Sequence, residues 1–217
     1  EAAGISTIRL TSLTDGNVID VSEYTALGVT MEGADSKNTL TGGGGADSIT
    51  GGDENDTITG DAGADVLTGG AGNDDFLYLA STDSSGTAAL ITAGVAADFI
   101  AAIDSITDFT AGDDAIDVAA IVNGTAAVDS ADVAAAAGTT DANFFTALNT
   151  AAAGNGATNS IINAFSFDGA QYVVIDNTAG ATFDATADSV IQLADAPLAA
   201  TGGVVIGDFI IGDFIIA

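Results

Sequence analysis

Gly42–Leu77 reads GGGGADSIT GGDENDTIT GDAGADVLT GGAGNDDFL, one nine-residue theme written four times. Each unit approximates G-G-x-G-x-D-x-U-x, with U apolar. Asp47, Asp56, Asp65 and Asp74 fill the sixth place, and Ile49, Ile58, Leu67 and Phe76 the eighth. A weaker unit, GADSKNTLT, precedes them with Asn38 and Leu40 in the two key places. Six Gly- and Asp-rich residues suit a turn, because Gly tolerates positive φ and Asp bonds its own neighbouring backbone. The three others suit a very short strand with its middle side chain inward. Two units then close a coil of eighteen residues, so the spacing predicts a parallel β-roll with strands alternating between two sheets.

Such a coil stacks Asp47 over Asp65 and Asp56 over Asp74, with strands roughly 4.8 Å apart. Two carboxylates about 5 Å apart repel by roughly 3 kcal/mol at an effective dielectric of 20. Lys37 is the one basic side chain close in sequence, so a divalent cation between turns is the expected remedy. Carboxylate and backbone carbonyl oxygens suit Ca²⁺ in flexible six- to eight-fold coordination, whereas Mg²⁺ demands a stricter octahedron. The candidate metal-holding residues are Asp47, Asp56, Asp65 and Asp74, with Asn38 nine before Asp47 and Asp83 nine after Asp74 as terminal partners. Turn residues Gly42, Gly43, Gly45, Gly51, Asp53, Gly60, Ala62, Gly69 and Ala71 complete the set, the Gly and Ala members through backbone oxygens. Glu54 at a fourth place and Asp61 at a second place break the glycine pattern. Each is either an extra ligand or a tolerated turn residue.

The remaining composition narrows the class. The chain of 217 residues carries 31 acidic side chains against Arg9 and Lys37, a net charge of −29, and all but four of the acids are Asp. Nucleic acid is excluded as a partner because no cationic surface exists to displace its counterions, and direct binding to an anionic membrane is disfavoured for the same reason. Without Cys there are no disulfides, and calcium is the expected substitute outside a cell. Without His there is no H-E-x-x-H zinc site and no Ser-His-Asp triad, so no enzyme is expected on this chain. It opens on Glu1, which reads as a processed product or a piece of something longer.

Outside the repeats the expectations are coarser. Residues 1–32 hold short β-type runs (Ile5–Leu10, Val18–Val21, Val29–Met31) and read as an amino-terminal cap or irregular rungs. Residues 33–83 form the roll. Residues 84–217 form a β-rich domain with one or two short helices, making the chain mostly β. Phe76-Leu77-Tyr78-Leu79 reads as a handover strand too long for another rung. Weak helical spacing marks 87–103. Capped helices are predicted within 129–154, at Ala131–Ala137 and around Phe144, Phe145 and Leu148. A hairpin follows at 161–175 about Asp168-Gly169, then strands at Ser189–Leu193 and Val204–Ile211.

The nonapeptides resemble the RTX repeat, which implies a calcium-binding β-helix. Asp104, Ile106, Asp108, Phe109, Gly112, Asp114, Ile116 and Asp117 match the D-x-I-x-D-F-x-x-G-x-D-x-I-D motif that follows such repeats in serralysin-type proteases. That resemblance implies a segment packed on the end of the roll, with Asp108 and Asp117 as turn and capping residues in preference to ligands. Gln171–Asn177 is similar to the terminal region of large RTX surface proteins, and Asp213–Ala217 to the terminus that type I secretion machinery reads. Ile206–Ile210 repeats as Ile211–Ile215, either an extra edge strand or a feature foreign to the native chain. The resemblances imply export by a type I system from a Gram-negative-type bacterium and a secreted or cell-surface location. Two functions are carried forward: a calcium-dependent structural or assembly module of an S-layer-like protein, self-associating through sheet edges, and the export tail of a secreted hydrolase or adhesin.

Overall fold

The computed structural model describes residues 7–9, 16–110, 112–118, 127–128, 138–153, 161–178, 180, 182–194, 209–211 and 214–215. Ten short strands build the roll: β1 (Thr7–Arg9), β2 (Asn17–Asp20), β3 (Thr30–Glu32), β4 (Asn38–Thr41), β5 (Ser48–Asp53), β6 (Thr57–Thr59), β7 (Val66–Ala71), β8 (Asp75–Leu77), β9 (Ser105–Ile106) and β10 (Ala115–Asp117). Odd-numbered strands pair in parallel in one sheet and even-numbered strands in the other. The register places Ile8, Met31, Ile49, Leu67 and Ile106 in one row. Ile19, Leu40, Ile58, Phe76 and Ile116 make the opposing row. The two rows share one apolar cluster. Fully burying such a side chain stabilises by about 1.5–3 kcal/mol, but each nine-residue unit supplies only one, against the entropy of ordering a Gly-rich turn. Apolar burial alone is therefore a thin basis for the roll.

Residues upstream of the repeats contribute rungs in the same two sheets: β1 pairs β3 and β2 pairs β4, both in parallel. Downstream, the expected long strand at Phe76–Leu79 is instead an ordinary three-residue rung, closed by the Tyr78 N–H on the Asp117 carbonyl at 2.9 Å just as the Gly33 and Gly42 N–H groups close theirs on Thr50 and Thr59. The chain then leaves the coil through α1 (Ala88–Ala93) and α2 (Ala96–Ile100), with Gly94 at φ 67° ending the first helix. It returns as β9 and β10. The segment expected to pack on the end of the roll is itself the next coil, β9 on β7 and β10 on β8.

Beyond this coil the first sheet continues without a break. β14 (Ser189–Leu193) pairs in parallel with β9, then in antiparallel with β13 (Ala170–Asp176), which pairs with β12 (Ile161–Phe167) and through it with β11 (Ala127–Val128). The Asp168-Gly169 turn closes the hairpin, both residues at positive φ. β13 is buried on both faces. Val173 and Ile175 extend the roll core, while Tyr172 and Val174 join a second cluster with α2 and α3 (Asp141–Ala153). Phe144 centres that cluster, 5.1–5.8 Å from the rings of Phe99, Phe165, Phe167 and Tyr172. The helix expected at Ala131–Ala137 lies outside the described residues. In the second sheet β15 (Phe209–Ile211) pairs with β10, and β16 (Phe214–Ile215) pairs in antiparallel with β15 at that sheet's end.

Candidate metal centre

The sixth-place Asp residues form two ladders on opposite sides of the roll. On one side the Val29 N–H donates to Asp47 Oδ1 at 2.7 Å, Asp47 N–H to Asp65 Oδ1 at 2.8 Å, and Asp65 N–H to Asp104 Oδ1 at 2.9 Å. On the other side Asn38 N–H donates to Asp56 Oδ1 at 2.6 Å, Asp56 N–H to Asp74 Oδ1 at 2.8 Å, and Asp74 N–H to Asp114 Oδ1 at 2.9 Å. Each carboxylate thus uses one oxygen to satisfy a backbone donor one coil earlier. The other oxygen of Asp56, Asp65, Asp74 and Asp104 is buried without a hydrogen-bond partner. An orphaned buried acceptor costs about 1–3 kcal/mol, more when charged, and four in register need a common explanation.

Their surroundings supply one. The first glycine of each unit, Gly42, Gly51, Gly60 and Gly69, lies against Oδ2 of that unit's Asp, so that a Cβ there would collide with the carboxylate. At Gly42 and Gly51 the same space is also lined by the carbonyl of the equivalent glycine one coil later, Gly60 and Gly69. The result is a cradle of carboxylate and backbone oxygens with no side chain in it. Among the described residues no group of three or more His, Cys, Asp or Glu side chains forms a metal cluster. Any ion must draw on backbone oxygens as well as paired carboxylates, which is the donor chemistry of Ca²⁺.

Electrostatics point the same way. Burial pushes the Asp65 carboxyl up to about 8, against the hydrogen bond from Asp47 and with added repulsion from Asp47, Asp61 and Asp83. Burial likewise raises Asp56 and Asp74 to about 6 and holds Asp104 well above the usual carboxylate range, reinforced by Asp65. Lys37 offsets this weakly at Asp56. A divalent cation between coils removes the repulsion and occupies the orphaned oxygens together.

The other sequence-predicted positions fall in distinct places. Gly43 donates its N–H to Asp47 Oδ2 at 2.7 Å. Gly45 packs against the Leu27–Gly28 backbone. Asp53, Ala62 and Ala71 are exposed on the turns, with Asp53 and Ala71 paired at the ends of β5 and β7. Asn38 is fully buried, and its amide nitrogen donates among Ala34 O, Ser36 O, Gly51 O and Asp56 Oδ1. A neutral donor thus stands where lower coils present only acceptors. Asp83 does not stack on the ladder nine residues after Asp74: its Oδ2 accepts the Leu79 and Ala80 N–H groups, and the rung above Asp65 belongs to Asp104. Glu54 and Asp61 hold left-handed backbone, φ 68° and 62°. Asp108 caps the last repeat turn, accepting from Gly69 and Gly70 N–H at 2.9 and 2.8 Å.

Sequence reasoning placed Asp104 and Asp114 in the post-repeat motif and not in the ladders. The signal was present: Asp104-Ser105-Ile106 and Asp114-Ala115-Ile116 carry the same D-x-U triplet as Asp47-Ser48-Ile49. The break in spacing hid it, since the chain spends residues 79–103 on an excursion before resuming the coil.

Stacked three-residue strands, in-register buried Asp and glycine-lined oxygen cradles define a calcium-binding parallel β-roll. The family described as RTX calcium-binding nonapeptide repeat (4 copies) matches residues 32–67 and again 41–76. The roll is therefore of the RTX type: residues 32–76 carry RTX calcium-binding nonapeptide repeats, which bind several Ca²⁺ ions. Proteins with such repeats are generally exported by type I systems, which points broadly to an extracellular protein. No curated protein matches the chain.

Proposed function

We propose that this chain is a non-catalytic structural module whose folding is switched on by calcium outside the cell. The observation that carries the reading is the set of four buried carboxylate oxygens, on Asp56, Asp65, Asp74 and Asp104, that find no partner within the described protein. In the metal-free chain these groups oppose coiling; with calcium the binding energy becomes folding energy. Extracellular calcium modules work with Kd on the order of 10⁻⁴–10⁻³ M, which leaves the chain uncoiled inside a cell and coiled outside it. Export by a type I system, which handles unfolded chains, accords with that switch. Anchoring in a surface or S-layer-like assembly is the parent context we favour over a hydrolase tail. Copies would meet through the sheet edges, which among the described residues are β1 and β11 in one sheet and β2 and β16 in the other.

Circular dichroism of the full chain tests the switch. Millimolar Ca²⁺ should produce a large gain in β signal that a chelator reverses, and a spectrum indifferent to both would overturn the proposal. Light scattering in the same titration tests assembly: scattering that stays monomeric at high protein concentration removes the assembly role and leaves the folding switch.

A further inference from the structure

Both ladders change character at their amino-terminal ends. On one flank Asn17, Asn38, Asp56, Asp74 and Asp114 follow one another through side-chain hydrogen bonds, two amides and then three acids. Asn38 is fully buried. Its Nδ2 lies 3.1 Å from the Ala34 carbonyl oxygen, 2.5 Å from that of Ser36, 3.2 Å from that of Gly51 and 3.1 Å from Asp56 Oδ1. Two N–H hydrogens therefore serve four oxygens, three of them backbone carbonyls. Asn38 Oδ1 accepts from Asn17 Nδ2 at 3.1 Å, and the same nitrogen donates to Ser36 Oγ at 2.9 Å. This orientation of the Asn38 amide is the one its surroundings permit, since the reverse would set an acceptor against four acceptors.

The place held by this nitrogen matches the cradles of the later units. There the first glycine lies against Oδ2 of its own Asp and, at Gly42 and Gly51, against the carbonyl of the equivalent glycine one coil later. Gly33, the first residue of the weak unit, lies in the same way against Asn38 Nδ2 and the Gly51 carbonyl. Nitrogen thus stands where the later coils put Oδ2. Asp56 and Asp74 each leave Oδ2 without a partner, whereas Asn38 leaves neither side-chain atom unpartnered. The opposite flank closes by other means. The rung before Asp47 is the buried, apolar Val29. Asp47 itself has both oxygens bonded, Oδ1 by the Val29 N–H and Oδ2 by the Gly43 N–H, each at 2.7 Å.

We propose that the Asn38 amide is a built-in substitute for a cation: it closes the ladder on its flank, so that the junction between Asn38 and Asp56 takes no ion and needs none, and ion binding there starts between Asp56 and Asp74. The proposal rests on calcium binding by the repeats and sets where that binding stops. Its chemistry is that of the donors. The two N–H groups bring partial positive charge to the oxygens that an ion would otherwise have to neutralise. Being neutral, the amide also adds no carboxylate repulsion against Asp56. A carboxylate at position 38 would instead restore an all-oxygen set of three carbonyls and two carboxylates, the hard donors that Ca²⁺ accepts. One side-chain nitrogen in place of an oxygen therefore decides whether this coil is held by the chain itself or by metal.

The test compares the full wild-type chain with Asn38→Asp, Asn38→Ala and Thr146→Asp, the last adding a carboxylate at an exposed position of α3 as control. Calorimetric titration with Ca²⁺ should count one ion more for Asn38→Asp than for wild type, no fewer than the wild-type number for Asn38→Ala, and the wild-type number for Thr146→Asp. Amide exchange at saturating Ca²⁺ should be about tenfold faster at Ile19 and Leu40 in Asn38→Ala than in wild type, and at the wild-type rate in Asn38→Asp, where an ion replaces the amide. An unchanged ion count in Asn38→Asp overturns the proposal. So does one ion lost in Asn38→Ala, which would make Asn38 a ligand, and so does unchanged exchange at Ile19 and Leu40 in that variant. If Asn38→Asp does not fold in calcium, the count for Asn38→Ala decides. Absence of calcium binding by the wild type would instead sink the folding switch itself.

Discussion

Replacing Asp65 by Asn should change the sign of its effect with calcium. Asp65 is 1% exposed, accepts the Asp47 N–H at 2.8 Å through Oδ1 and leaves Oδ2 unpartnered. The amide oxygen of Asn preserves the first interaction, so the substitution isolates the charge. In chelator, above the value of about 8 to which burial raises this carboxyl, Asp65 is ionised one rung from Asp47, which repels it. At a rung spacing of about 5 Å and an effective dielectric of 20, such a neighbour costs roughly 3 kcal/mol. Asp65→Asn should therefore stabilise the metal-free roll by about 3 kcal/mol or more, seen as a higher pH at which the metal-free chain loses its β circular dichroism. In calcium the same change removes a ligand. At free Ca²⁺ one hundred times Kd, one site contributes about 2.7 kcal/mol, so the urea midpoint should fall by an amount corresponding to roughly that loss. Destabilisation in both conditions, or no effect in either, would refute the account of Oδ2 as a metal ligand held against repulsion.

Two further outcomes follow from the ladders. Asp56 and Asp74 are raised to about 6 and Asp65 to about 8, from an unfolded value of 3.8; the folded state binds these protons more tightly, so their contribution is full below about pH 4 and disappears as pH rises through about 6 and then about 8. Metal-free protein should accordingly gain β structure on acidification, whereas calcium affinity should fall on acidification as protons compete for the same oxygens, which potentiometric titration with and without Ca²⁺ measures; a metal-free spectrum that loses β structure on acidification contradicts this. Gly51→Ala should abolish calcium-induced folding of the central coil, because the added Cβ enters the space lined by Asp56 Oδ2 and the Gly69 carbonyl; Gly169→Ala, in the β12–β13 turn with open space around it but φ 88°, should cost stability without altering calcium stoichiometry by calorimetry.

The nonapeptide period was sufficient to define the roll. A residue type at place six and an apolar one at place eight, recurring in step, fix a coil of eighteen residues whatever the rest of the chain does, since both the turn chemistry and the inward side chain are local. Thus the rows Ile49–Leu67 and Leu40–Ile58–Phe76 were legible directly, as was the hairpin about Asp168-Gly169 and the buried face of α3. What depended on non-local pairing was not. Asn38 was legible as a ladder position, but only the fold shows its amide directed among four oxygens, in place of a cation.

Asp83 and Asp104 show the division most clearly. Counting nine from Asp74 selects Asp83, and by sequence alone nothing contradicts it. In the folded chain the coil is interrupted for residues 79–103 and resumes at Asp104, which takes the rung while Asp83 turns to cap Leu79 and Ala80. Sequence determines a repeat as long as it is contiguous, because each unit carries its own turn and strand. Where a coil is completed by a distant segment, the partner is chosen by which strand fits the open sheet edge and buries its apolar residue in the existing row, as Ile106 and Ile116 do. That choice is made by packing across 39 or 40 residues, and only the tertiary structure decides it.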